Sequence, residues 1–142
     1  MFNQFLSTAN WLAIIVAAIV FFGLGSLWFS VFFGKQWMAL NGIPEPTPDK
    51  REEMKKLMMP MMLKTLVMSL VLAFLISFIG TVIGINSAFH GIKLGLALGT
   101  IAIIPLIMAD MYLMKPLKLW FIDAGYHMLG IILMSTILAV WH

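Results

Sequence analysis

The chain has 142 residues, 62% of them hydrophobic and 11% charged, with a formal net charge of +3; soluble domains carry about 25% charged residues. A mean hydropathy of +1.02 excludes a water-soluble globule. The absence of cysteine excludes disulfides and thiolate metal sites and leaves the redox compartment unread.

A bilayer core is about 30 Å thick and a helix rises 1.5 Å per residue, so each crossing needs roughly 20 apolar residues. Met1 to Asn10 carries no charged side chain and so offers no basic n-region for a cleaved signal peptide. The first apolar segment, Trp11 to Phe33, therefore reads as a retained span, with Gly23, Ser26 and Ser30 on one face.

A polar connector over 34–64 follows. It reads as a turn at Asn41-Gly42, a stiff Pro44 to Pro48 spacer, and a short amphipathic helix with Thr47 as N-cap, Pro48 at its first position and Asp49 in its first turn. Glu52 and Lys56 are spaced as an i,i+4 pair, and Pro60 is expected to kink or stop the helix before the next span. The connector reads as a solvated link; docking of a partner or of anionic lipid is the alternative.

The second span is Thr65 to Ile85, with Ser69, Ala73 and Ser77, then Gly80 and Gly84, at helical spacing. The third, Gly91 to Met114, opens with G-I-K-L-G-L-A-L-G, which sets Gly91, Gly95 and Gly99 four apart. In lipid the hydrophobic effect drives helices together only weakly, so small residues that allow close approach are expected to mark the packed faces. The fourth span is Leu119 to Trp141. The whole, 1–142, reads as one all-α polytopic membrane domain: four transmembrane helices in a compact bundle, with the lipid bilayer as solvent.

Eight of the nine Lys and Arg lie beside the first and third loops, and Lys93 alone lies by the second. Short basic loops stay in the cytoplasm, so both termini are expected outside. The basic pI near 9.4 thus follows from topology, and nucleic acid is not an expected partner. Trp11 and Trp141 would mark the outer interface, Trp37 and Trp120 the inner one.

The costly residues are the polar ones within the spans. An acidic side chain at the centre of a span costs about 2.5 to 3.5 kcal/mol. Asp123 and His127 stand one turn apart on the fourth span, and Asp110 lies on the glycine side of the third, near the same end. A buried cluster of Asp110, Asp123 and His127 is therefore expected, with Tyr126, Tyr112 or Ser30 as hydrogen-bond partners. Two chemistries are open to it: a satisfied network that locks helices in register, or a proton-linked or cation-binding site of the kind transporters use. Lys115 and Lys118 also stand near enough to pair with the two carboxylates.

His90 and His142 are expected at the outer surface, solvated. Thirteen methionines, including M-M-P-M-M at 58–62, suit soft Cu(I) in principle, but methionine is an ordinary filler of apolar gaps, and no metal or other cofactor is expected. There is no G-x-S-x-G, phosphate loop or H-E-x-x-H, so no hydrolase or nucleotide-using motif supports an enzyme.

N-W-L-A-I at 10–14, G-S-L-W-F-S at 25–30, F-G-K-Q-W at 33–37 and D-A-G-Y-H at 123–127 together resemble the bacterial membrane family catalogued as domain of unknown function 1761. The likeness spans nearly the whole chain. It implies a small four-helix membrane protein and brings no activity with it. Its signature falls on Asn10 and Trp11; on Gly25, Trp28 and Ser30; on Gly34, Lys35 and Trp37; and on Gly125, Tyr126 and His127. Three positions depart from the family pattern: Phe29 where tyrosine is usual, Val31 where proline often follows the serine, and Asp123 where asparagine is common. An amide at that last position implies that hydrogen bonding is the shared requirement there.

The reading that follows is a non-enzymatic structural or accessory subunit of a bacterial inner membrane, self-associating through small-residue faces. The competing one is a small oligomeric proton- or cation-coupled transporter. The substrate, if there is one, is not legible.

Overall fold

The computed structural model describes residues 1–141; the expectation for His142 lies outside them. Among the described residues six α-helices run in chain order: α1 (Phe2–Thr8), α2 (Trp11–Leu27), α3 (Gly34–Leu40), α4 (Pro48–Val82), α5 (Ala88–Tyr112) and α6 (Leu117–Val140), with a π turn, Trp28–Phe32, between α2 and α3. Among the described residues there is no strand. Four stretches of the described residues are long and apolar enough to cross a membrane: Trp11–Phe32, Pro48–Val82, Ala88–Tyr112 and Leu117–Val140. The protein is an all-α polytopic membrane protein.

Each boundary has a local cause. Asn10 caps α2, its Oδ1 accepting from the Ala13 N–H at 3.0 Å. Ser87 caps α5 in the same way, and its hydroxyl also bonds the His90 ring at 3.0 Å, which ties that histidine to the helix start. Thr47 precedes α4 with extended backbone but makes no side-chain cap bond; Pro48 at the first position supplies the start signal.

The C-termini of α3, α4 and α5 share one closing motif. After α4, Ile85 N donates to Gly80 O at 2.9 Å and Gly84 N to Thr81 O at 3.2 Å, with Gly84 at φ 71°; after α3, Gly42 takes the same place at φ 67°. After α5 the left-handed position falls to Met114 at φ 52°, a conformation that disfavours a side chain.

The structure corrects several expectations. The connector helix and the second span are one continuous helix, and Pro60 lies inside α4 without ending it. The carbonyl that Pro60 strands is that of Lys56, in the exposed, charged part of α4, where water can take it up. At 1.5 Å per residue α4 is ~52 Å long, so its charged first half projects past the apolar layer. The surface pair there is Lys55 with Glu52 at 2.9 Å, three apart, in place of Glu52 with Lys56. The uncharged N-terminal segment forms α1, which folds back so that Phe2 and Phe5 pack edge-on against Phe74 and Phe78 of α4.

α6 is the central helix, packed against α5, α2 and α4, while α2 also packs on α4. Its buried residues include Leu119, Ile122, Tyr126, Ile131, Met134 and Leu138. Against α5 the contact runs through glycine. A Cβ on Gly95 would lie 2.5 Å from Ile132 Cα, one on Gly91 2.8 Å from the Ser135 carbonyl oxygen, and one on Gly99 2.7 Å from Met128 Sδ. The two glycines of α4's end do not share this role: a Cβ on Gly80 or Gly84 meets nothing within 4 Å. Gly84 serves backbone conformation, and Gly80 borders open space.

Candidate functional site

The π turn builds the site. Phe33 N reaches back five residues to Trp28 O at 2.9 Å, so the end of the first span holds one residue more per turn than an α-helix and its side chains swing to a new direction. The chain then turns tightly: a Cβ on Gly34 would lie 2.8 Å from the Phe29 carbonyl oxygen. Only a residue without a side chain fits that approach. α3 starts there and carries Trp37 to α6.

On α6 the stretch D-A-G-Y-H receives these aromatics. Trp37 Nε1 donates to Asp123 Oδ1 at 3.1 Å, and Trp28 Nε1 donates to the Ile122 carbonyl at 3.0 Å. The Trp28 ring lies over Gly125, where a Cβ would be 3.2 Å from Cζ2. Tyr126 is seated against Gly25, where a Cβ would be 2.8 Å from the phenolic oxygen, and its hydroxyl donates to the Phe21 carbonyl at a long 3.4 Å. Around it stand Phe21, Phe29 and the His127 ring, with centroids 4.9 to 5.2 Å away. His127 Nδ1 bonds the Asp123 main-chain carbonyl one turn back at 2.8 Å. An Nδ1 facing a carbonyl, which can only accept, carries a proton and donates it.

The expected cluster is thus brought together at one end of the molecule but not joined. Asp110, Lys115 and His127 lie within electrostatic range of Asp123, yet no hydrogen bond links the side chains of Asp110, Asp123, Tyr126 and His127 to one another among the described residues. Asp110, 2% exposed, pairs through Oδ1 with Lys115 Nζ at 2.7 Å, and its main-chain oxygen accepts from Lys115 N at 3.0 Å. One residue thereby holds the α5–α6 turn twice. Asp110 Oδ2 and Trp120 Nε1 are buried with no hydrogen-bond partner among the described residues. Two expected partners are absent from the cluster: Ser30 gives its hydroxyl to the Ser26 carbonyl of its own helix, and Tyr112, 87% exposed, points away at the end of α5.

Of the remaining signature residues, Asn10 is the α2 cap, Trp11 stacks on Phe74 with centroids 6.0 Å apart, and Lys35 is exposed on α3. Phe21 and the Ile122 carbonyl belong to the site without having been singled out in the sequence, and Phe29, noted there only as a departure from the family pattern, packs edge-on against Tyr126. The signal for them is indirect: Gly25, Gly125 and Gly130 are each too small to fill helix surface, and a large ring sits over every one of them, Phe21 covering Gly130. No group of three His, Asp or Glu side chains among the described residues is placed to hold a metal ion.

No curated protein and no solved structure shows significant similarity to the chain. A family model does match, described as Protein of unknown function (DUF1761), over residues 12–139. That stretch runs from the first turn of α2 to the last turn of α6 and takes in the π turn, the glycine seam and D-A-G-Y-H, so the chain belongs to the DUF1761 family.

Proposed function

We propose that this protein is a non-enzymatic structural or accessory subunit of a bacterial inner membrane, in which D-A-G-Y-H is a clasp that fixes α6 against the π turn and α3. One observation carries the reading: Asp123, Tyr126 and His127, like Trp28 and Trp37, each spend a polar atom on a partner within the chain. A network satisfied from within rigidifies a packed core. By the lysine distribution, the end holding the clasp faces the cytoplasm and both termini face outward. Self-association uses the face of the first span where Gly23, Ser26 and Ser30 stand. A Cβ on Gly23 would meet nothing within 4 Å, and both serine hydroxyls are turned onto their own helix, which leaves a smooth surface for a second copy.

The competing reading, a small oligomeric proton- or cation-coupled transporter, draws on Asp110, whose buried carboxylate has one oxygen without a partner. Ionisable groups at membrane depth mark ion pathways in many transporters.

Flux into proteoliposomes under an imposed pH gradient separates the two. The clasp predicts that His127→Gln protein folds, keeps its oligomeric state, and shows the same background leak as wild type. Gradient-driven flux by wild type that His127→Gln or Asp110→Asn abolishes would overturn it.

A further inference from the structure

The π turn, α3 and the first three turns of α4 border a groove of about 510 Å³, a size within the roughly 300 to 1,000 Å³ of ligand pockets. Along α4 its wall is Arg51, Met54, Lys55 and Met58, which repeat at three and four and so share one face. That face is graded. Its cations lie toward the helix start, and Met58 belongs to the exposed apolar run from Leu57 to Leu63 with which α4 enters the bilayer. The other wall includes Phe29, inside the first span, and Lys35, just past its end. Both walls thus pass from apolar to cationic at the level where the first span ends.

The charges state the sign of the occupant. The lining holds three cations, Lys35, Arg51 and Lys55, and one carboxylate, Glu45. Among the described residues Lys35 and Arg51 are in no ion pair, and Lys55 pairs with Glu52 at 2.9 Å, an exposed contact that holds its lysine weakly. Like charges gathered in one groove repel, and an entering anion relieves that repulsion. Three thioethers, those of Met38, Met54 and Met58, also line the groove, but the cations beside them oppose a soft metal ion. Apolar side chains next to the cations match an anion with an apolar body. A lipid of the surrounding leaflet presents both parts at this level, whereas a free anion would leave the methionine wall unused.

We propose that the groove binds an anionic phospholipid, its phosphate held by Lys35, Arg51 and Lys55 and its glycerol and first acyl carbons lying along Met54, Met58 and Phe29. The guanidinium fork of Arg51 suits phosphate oxygens, and the lysines add point charges. The site shares Phe29 and Gly34 with the clasp but none of its hydrogen bonds, and it stands whichever reading of the clasp holds. Lys50 and Lys56 lie on the same helix outside the groove, and they separate a built site from the diffuse attraction of basic residues to an anionic surface.

The test is native mass spectrometry of the full chain in detergent, titrated with phosphatidylglycerol or with phosphatidylcholine. The expected result is a single phosphatidylglycerol bound more tightly than phosphatidylcholine and not displaced by inorganic phosphate in millimolar excess. Lys35→Gln with Arg51→Gln weakens that binding roughly twentyfold, about fivefold for each cation lost. Lys50→Gln with Lys56→Gln, the same change in net charge, leaves it unchanged. Equal affinity for the two lipids overturns the proposal, and so does equal weakening by the two double variants, which is the mark of diffuse attraction. Displacement by inorganic phosphate overturns it in favour of a free anion. Arg51→Gln alone decides should its double variant not fold: a loss of about fivefold is expected, and unchanged affinity overturns the site.

Discussion

The two sides of α6 solve the same problem by opposite means. Toward α5 the helices meet through Gly91, Gly95 and Gly99; at Gly91 and Gly95 the backbones are so close that a side chain would collide with main-chain atoms, and at Gly99 it would meet the Met128 side chain. Toward α2 and α3 the gap is wide and filled with rings: Trp28 over Gly125, Phe21 over Gly130, Tyr126 against Gly25. The glycine side depends on dispersion between surfaces that cannot yield. The aromatic side adds hydrogen bonds from indole and phenol, and rings can shift a little without breaking contact. Steric change should therefore injure the first side most, and polar change the second.

Gly95→Val puts the largest strain on the comparison. Its Cβ would sit 2.5 Å from Ile132 Cα, and since backbone on both sides resists movement, a loss of about 3 kcal/mol or more is expected in a denaturant titration in micelles. A loss under about 1 kcal/mol would mean that the α5–α6 interface opens easily.

Next comes the turn that holds those helices at the lysine-rich end. Lys115→Gln leaves the Asp110 carboxylate buried and uncompensated, at a cost of about 2 kcal/mol, tempered because the lysine is itself partly exposed. The double variant with Asp110→Asn should recover most of that, a coupling readable in a double-mutant cycle.

On the aromatic side, Trp37→Phe removes the donor to Asp123 and should cost about 1 to 2 kcal/mol, whereas Asp123→Asn keeps an acceptor oxygen and should change stability by less than about 0.5 kcal/mol. If Asp123→Asn is as damaging as Trp37→Phe, the carboxylate has a role that a clasp does not explain. Tyr126→Phe should cost no more than about 0.5 kcal/mol, because its bond to the Phe21 carbonyl is long at 3.4 Å and the ring supplies most of the contact.

Small effects of opposite sign are expected at the two glycines that end α4, neither of which packs against anything. Gly84→Ala meets a positive φ and should lose about 1 kcal/mol, while Gly80→Ala, in open space on a helix, should gain about 0.5 kcal/mol. The sign difference separates glycine kept for backbone conformation from glycine that leaves room.

Much of the architecture could be read along the chain. The four spans follow from runs of apolar residues set against bilayer thickness, and the Gly91, Gly95, Gly99 stripe pointed to a packed face because four-residue spacing keeps side chains on one side of a helix. D-A-G-Y-H drew attention as polar residues in an apolar run. What could not be read is where their partners come from. Trp37 lies 86 positions from Asp123, and the pairing depends on a π turn that composition does not encode and on the tight approach of Gly34 to Phe29. Pro60 shows the limit from the other side: a strong local breaker that the surrounding helix overrides.

The sequence by itself determined the solvent, the four crossings and the positions of the small residues, because these depend on length, polarity and periodicity, all local quantities. Only the tertiary structure decided that Asp110 pairs with Lys115, that Asp123 takes its donor from Trp37, and that Trp28 reaches the Ile122 carbonyl. Those outcomes depend on how helices rotate and approach one another, which is settled by packing between segments far apart in the chain.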